Sequence, residues 1–100
     1  MTAFKEYTAD EILTEVLAYG FWWLDEDEDV QDIEHDTVIF ADGRRARLTG
    51  TACRNAWDAF ANANPNAWLV KQVKENHYDI DAEVAGVMAQ VFVFGDVVYG

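Results

Sequence analysis

The chain has one cysteine, Cys53, one proline, Pro65, and six scattered glycines in 100 residues. A single thiol excludes an internal disulfide and fits either a reducing compartment or indifference to redox state. With so few Pro and Gly there is no linker-like break, and no internal repeat is visible, so residues 1–100 read as one domain. No apolar run approaches the roughly 18–20 residues needed to cross a bilayer, and no membrane association is expected. The opening MTAFKEYTADEIL lacks a basic region followed by an unbroken apolar stretch, so no secretory signal is read there and the protein is expected to be cytoplasmic. There is no glycine-rich phosphate loop, no CxxC and no HExxH, which removes the common motif-borne nucleotide, redox and zinc chemistries. No cofactor is expected.

Positive charge is the most unevenly missing quantity. Residues 1–36 carry twelve acids against the single base Lys5, whereas residues 37–100 carry seven acids and six bases. The first third therefore holds −11 of a formal net charge of −12. Such a field attracts a basic surface or a hard cation and repels nucleic acid and anionic lipid. Charge of this size alone fits disorder, but 51 % hydrophobic residues, with four Trp, six Phe and four Tyr, are ample for a core.

Most of this charge lies in residues 25–36, DEDEDVQDIEHD, where eight carboxylates fall in twelve residues with no Lys or Arg among them. Extended, twelve residues span roughly 40 Å, about 5 Å per charge. Helical, they span roughly 18 Å, about 2.3 Å per charge. Duplex DNA carries one charge per ~1.7 Å of axis and ~3.4 Å per strand, so the segment lies near nucleic acid in linear charge density. It follows directly on Phe21, Trp22, Trp23 and Leu24, and aromatic residues beside a charged rim are the composition of a protein-binding patch. The bland reading is a solvated surface loop that keeps the protein soluble. Against it, charges this close repel one another more than solubility requires.

The periodicity predicts an α+β domain of three or four helices packed on a small antiparallel sheet. Thr8 and Glu11 form a capping box for a helix over 9–19 that stops at Gly20. Residues 21–24 read as a buried bend or short strand. Segments 37–40 and 45–48 flank Asp42-Gly43, a strong hairpin signal, and a two-residue loop sets Ile39 opposite Ala46. Thr51 is the expected cap of a second helix with Cys53, Ala56, Trp57 and Phe60 on its apolar stripe, running toward Asn64-Pro65. A third helix is expected over 66–76, anchored by Leu69 and Val73. The tail reads as a helix through about Ala89 followed by strand, with a hairpin around Gly95-Asp96 as the competing reading.

Three chemistries compete at particular residues. Asp25, Asp27 and Asp29 have the spacing of the first ligands of a calcium loop, but Val30 stands where that loop needs Gly and Asp36 where it prefers Glu. Cys53, His77 and Asp79 have the residue types of a nucleophilic trio, yet Cys53 falls on the apolar stripe, where a lone Cys is usually a small core hydrophobe. His35 lies among carboxylates, which favour its charged form, but one His with acids does not define a zinc site. Arg44, Arg45 and Arg47, the one basic cluster, are expected to pair with the acids of residues 32–36 rather than to contact nucleic acid.

In composition, size and lack of a catalytic signature, the acidic third resembles the small acidic inhibitors encoded by phages and mobile elements, the anti-CRISPR and antirestriction proteins, several of which mimic nucleic acid. The resemblance is compositional and carries no residue-by-residue motif. It implies a non-enzymatic viral inhibitor, acting in the host cytoplasm, that occupies the Lys/Arg-lined groove of a nucleic-acid-binding host protein or ribonucleoprotein complex and does not itself touch nucleic acid. The expected partner-binding face is Asp25, Glu26, Asp27, Glu28, Asp29, Asp32, Glu34 and Asp36, with Trp22 and Trp23 as aromatic anchors, although core packing is an equal reading for one of the two. The alternative is an ordinary interaction or adaptor module whose acidic run only confers solubility.

Overall fold

The computed structural model of the chain describes residues 4–76 and 79–100. They form an α+β domain of four helices and a three-stranded antiparallel sheet. Helix α1 (Ala9–Tyr19) opens on the expected capping box, in which Thr8 Oγ1 accepts the Glu11 N–H and Glu11 Oε1 accepts the Thr8 N–H. It ends at Gly20 and buries Ile12 and Val16. After a bend and a single 3-10 turn at Leu24–Glu26 come strands β1 (Val30–Glu34), β2 (Thr37–Phe40) and β3 (Arg45–Arg47), in spatial order β1-β2-β3. Helices α2 (Gly50–Ala63), α3 (Trp68–Asn76) and α4 (Ala82–Phe94) complete the chain.

Three elements differ from the sequence reading. Strand β1 lies inside the acidic run, where none was expected. Its VQDIE does not alternate, because Val30 and Ile33 are three apart. A register shift between Val30 and Asp32 inserts one extra residue, so Val30 is buried while Ile33 still pairs with the fully buried Val38. The β2–β3 hairpin is present, but Val38 rather than Ile39 faces Ala46. The loop has three residues, not two: the Gly43 N–H bonds the Phe40 carbonyl, the Phe40 N–H bonds the Arg44 carbonyl, and Gly43 takes φ +92°. A left-handed third loop residue shifts the register by one and sends Ile39 to the outer face with Arg45 and Arg47. Helix α2 is capped by Thr49, whose Oγ1 accepts the Ala52 N–H, and not by Thr51.

The tail is helical to Phe94, with no following strand. Helix α4 buries seven consecutive residues, Val84 to Gln90, and packs against both α1 and α2, which also meet each other. A helix surrounded in this way is apolar on all sides, and that burial outweighs the β preference of Val91, Phe92, Val93 and Phe94. Asp81 caps its start through the Val84 N–H, and Gly95 (φ +80°) ends it. The core joins these helices to Val30 and Val38 of the sheet and to Leu48 beyond it, around Trp23 and Trp57. Truncating Trp57, which is in edge contact with Phe4, is expected to cost about 3–5 kcal/mol. In α3 the buried anchors are Val70 and Val73, with Leu69 only half-buried.

Candidate protein-binding face

The acidic run is held from inside the protein. Asp27, at the end of the 3-10 turn, accepts the N–H of Asp29 (3.0 Å) and of Val30 (2.8 Å) on Oδ2. Its other oxygen accepts the Tyr99 hydroxyl at 2.9 Å, and that hydroxyl also lies 3.3 Å from the Glu26 carbonyl. Tyr99 is stacked on Trp23, with ring centroids 5.8 Å apart and planes 9° from parallel. Loss of solvent contact first, then the hydrogen bond and charge of Asp27 and the charges of Glu26 and Asp29, hold the Tyr99 phenol above its ordinary pKa, so it remains a donor.

Tyr99 is in turn fixed by Gln90, which is 1 % exposed. The Gln90 Oε1 accepts the N–H of Val98 (2.8 Å) and Tyr99 (2.6 Å), and its Nε2 donates to the Tyr99 carbonyl (3.1 Å). A buried amide with its hydrogen bonds made is a rigid clasp. Neither Gln90 nor Tyr99 figured in the sequence reading. The available signal was a lone Gln inside the apolar run VAGVMAQVFVF.

The far end of the run is neutralised. Arg45 Nη1 lies 3.6 Å from Glu34, and Arg47 Nε 3.0 Å from Asp36, both across the intervening strand β2. The hydrogen bond from Arg47, its positive charge and the Thr37 hydroxyl hold the Asp36 carboxyl below the usual range. Asp32 Oδ1 accepts the N–H of Ile33. Arg44 departs from expectation: it pairs with Asp42 at 2.8 Å within the hairpin loop and lies 4.5 Å over the Phe40 ring.

The eight carboxylates thus divide. Asp27 and Asp32 bind backbone N–H groups, and Glu34 and Asp36 bind arginines. Asp25, Glu26, Glu28 and Asp29 are exposed and make no ion pair among the described residues. Of the two aromatic anchors, Trp23 is withdrawn: it is fully buried and donates its indole N–H to the Gly20 carbonyl at 2.7 Å, so no partner reaches it. Trp22 is 49 % exposed.

Among the described residues no group of three or more His, Cys, Asp or Glu converges as a metal site. In the segment with calcium-loop spacing, Asp27 turns onto its own backbone instead. Cys53 is fully buried and free, and burial pushes its thiol up to about 12, far from the thiolate that nucleophilic chemistry needs. His77 lies outside the described residues, and with it the proposed trio. No helix of the described residues is long and apolar enough to cross a membrane. No protein-family model, no curated protein and no solved structure matches this chain.

Proposed function

We propose that this protein is a non-enzymatic acidic inhibitor that covers the basic nucleic-acid-binding surface of a host protein or ribonucleoprotein complex, as anti-CRISPR and antirestriction proteins do. The observation that carries the reading is the set of exposed carboxylates of Asp25, Glu26, Glu28 and Asp29, which the fold leaves without counter-charge while it spends Arg45 and Arg47 on Glu34 and Asp36. Four like charges within five residues repel one another and lower stability. A basic partner removes that penalty and gains ion pairs at the same time. The segment is also anchored at Asp27, so little of the binding free energy is lost to ordering it. Complementary fields of this kind mainly raise the association rate and set specificity.

The experiment is capture from host lysate on the immobilised protein at low and at high salt, with duplex DNA or structured RNA as competitor. The reading requires a nucleic-acid-binding partner that salt releases and that nucleic acid displaces. A partner of neutral surface, retained in high salt and indifferent to nucleic acid, would instead identify an adaptor module whose acids serve solubility.

A further inference from the structure

Trp22 is held as firmly as a core residue, yet half of its surface faces solvent. Its indole Nε1–H donates to the Ala82 carbonyl at 3.2 Å, in the first turn of α4. The ring lies against Gly86 on the same helix: a Cβ there would come 2.5 Å from Nε1 and 3.2–3.3 Å from Cε2 and Cζ2. Any side chain at position 86 therefore displaces the indole. The glycine is a seat for the ring, inside a helix where Gly otherwise costs stability relative to Ala.

The charges around this seat have one sign. Asp25 follows three residues after Trp22 in the 3-10 turn, and Glu83 adjoins the Ala82 that anchors the indole. Both are exposed, and neither makes an ion pair among the described residues. An indole face carries negative electrostatic potential and, beside carboxylates, favours a cation. A nucleobase, the other common guest of an exposed Trp, arrives with phosphates that the surrounding charge repels. An apolar guest leaves the adjacent carboxylates desolvated without partners.

We infer that Trp22, seated on Gly86, is a platform on which an arginine side chain of the basic partner stacks, with Asp25 and Glu83 as acceptors for its N–H groups. Arginine is selected over lysine because the planar guanidinium stacks on the ring while its edge donates to carboxylates, and because it is less strongly hydrated than an ammonium. The inference rests on the reading that the acidic run meets a basic surface, and adds which cation it recognises.

Nine-residue oligoarginine and oligolysine peptides are the probes, titrated calorimetrically against the parent, Trp22→Leu, Trp22→Phe, Gly86→Ala, and the fourfold variant Asp25→Asn/Glu26→Gln/Glu28→Gln/Asp29→Asn. The parent is expected to bind oligoarginine about three- to thirtyfold more tightly than oligolysine. Oligoarginine, and not oligolysine, is expected to shift the Trp22 indole N–H resonance. Trp22→Leu and Gly86→Ala should erase the preference while leaving oligolysine affinity nearly unchanged, and Trp22→Phe should retain part of it with the fold intact. A parent without the preference, or a folded Trp22→Leu variant that keeps it, overturns the platform. The fourfold variant tests the acidic run separately: if it binds both peptides like the parent, the electrostatic reading fails, and the arginine preference still decides the fate of Trp22.

Discussion

The two ends of the acidic run are alike in sequence and opposite in structure. At 25–29 four of five carboxylates stand in solvent and the fifth turns inward to hold the backbone. At 32–36 the sheet brings Arg45 and Arg47 across from β3, so Glu34 and Asp36 are matched, and Asp32 is occupied by the neighbouring N–H. Counter-charge is absent from the run itself but is delivered, by folding, to one half of it. The density of acids along a chain therefore overstates the charge that a fold presents. What counts is which carboxylates remain after strand pairing has assigned partners to the rest.

The strongest way to break this contrast is to neutralise each end separately. Converting Asp25, Glu26, Glu28 and Asp29 to Asn/Gln should weaken the captured basic partner by about 1–4 kcal/mol, if each lost ion pair is worth about 0.2–1 kcal/mol. The salt dependence should flatten, and thermal stability should hold or rise slightly. Neutralising Asp32, Glu34 and Asp36 in the same way should do the reverse, lowering Tm while binding changes less. Equal losses of binding from both sets, by titration at two salt concentrations, would show that the ends do not differ in function.

The next effect concerns the residue that makes 25–29 rigid. Asp27→Ala removes the acceptor for the Asp29 and Val30 N–H groups and for Tyr99, and Val30 is buried. It should cost about 1–2 kcal/mol, a Tm fall of order 5–15 °C, with faster amide exchange at Asp29 and Val30. Asp27→Asn keeps an acceptor and should lose clearly less, although it removes the same charge. If the two variants fall equally, charge and not the hydrogen bonds is what Asp27 supplies.

Much of this architecture was legible because local chemistry and global fold agree. The Thr8/Glu11 box, the Asp42-Gly43 turn, and the apolar stripe through Cys53, Ala56 and Trp57 each formed where the sequence points. The misses come from one residue counted differently or from long-range contact. Asp-Gly suits a two-residue loop, but here Gly43 is the third loop residue, and the register moves by one. Strand β1 is hidden because its extra residue destroys the period of two. The continuation of α4 depends on packing against α1 and α2, which no local pattern encodes. At the candidate face the acids themselves were legible. Their division was not, because Arg45, Arg47, Gln90 and Tyr99 reach them from distant parts of the chain.

Acid titration sharpens the contrast at the matched end. The folded-state pKa of Asp36 is depressed below 3.8 chiefly by Arg47. Its contribution to stability is therefore fully present above the unfolded value and is lost as pH falls through the depressed folded value. Arg47→Gln should lower Tm at neutral pH, and the gap between variant and parent should close as the pH drops below about 4. A gap that stays constant from pH 7 to pH 2 would show that Arg47 acts by packing rather than through the Asp36 charge.

The smallest expected effect lies at the turn joining β1 to β2, which sets the Asp36 end in place. His35 is exposed and takes φ +56° between Glu34 and Thr37, which pair across the hairpin. A residue with a Cβ is disfavoured there, and glycine adopts the same angle without that cost. Part of the gain is offset because glycine makes the unfolded chain more flexible. His35→Gly is therefore expected to stabilise the protein by only about 0.5 kcal/mol, read as a higher urea midpoint with an unchanged slope. Partner binding should not change, because the four exposed carboxylates of 25–29 lie at the other end of β1. If the glycine variant is less stable, the imidazole makes a stabilising contact at the turn that outweighs its backbone strain. If stability rises and binding falls, the matched end takes part in recognition, and the two ends of the run are closer in role than their ion pairing implies.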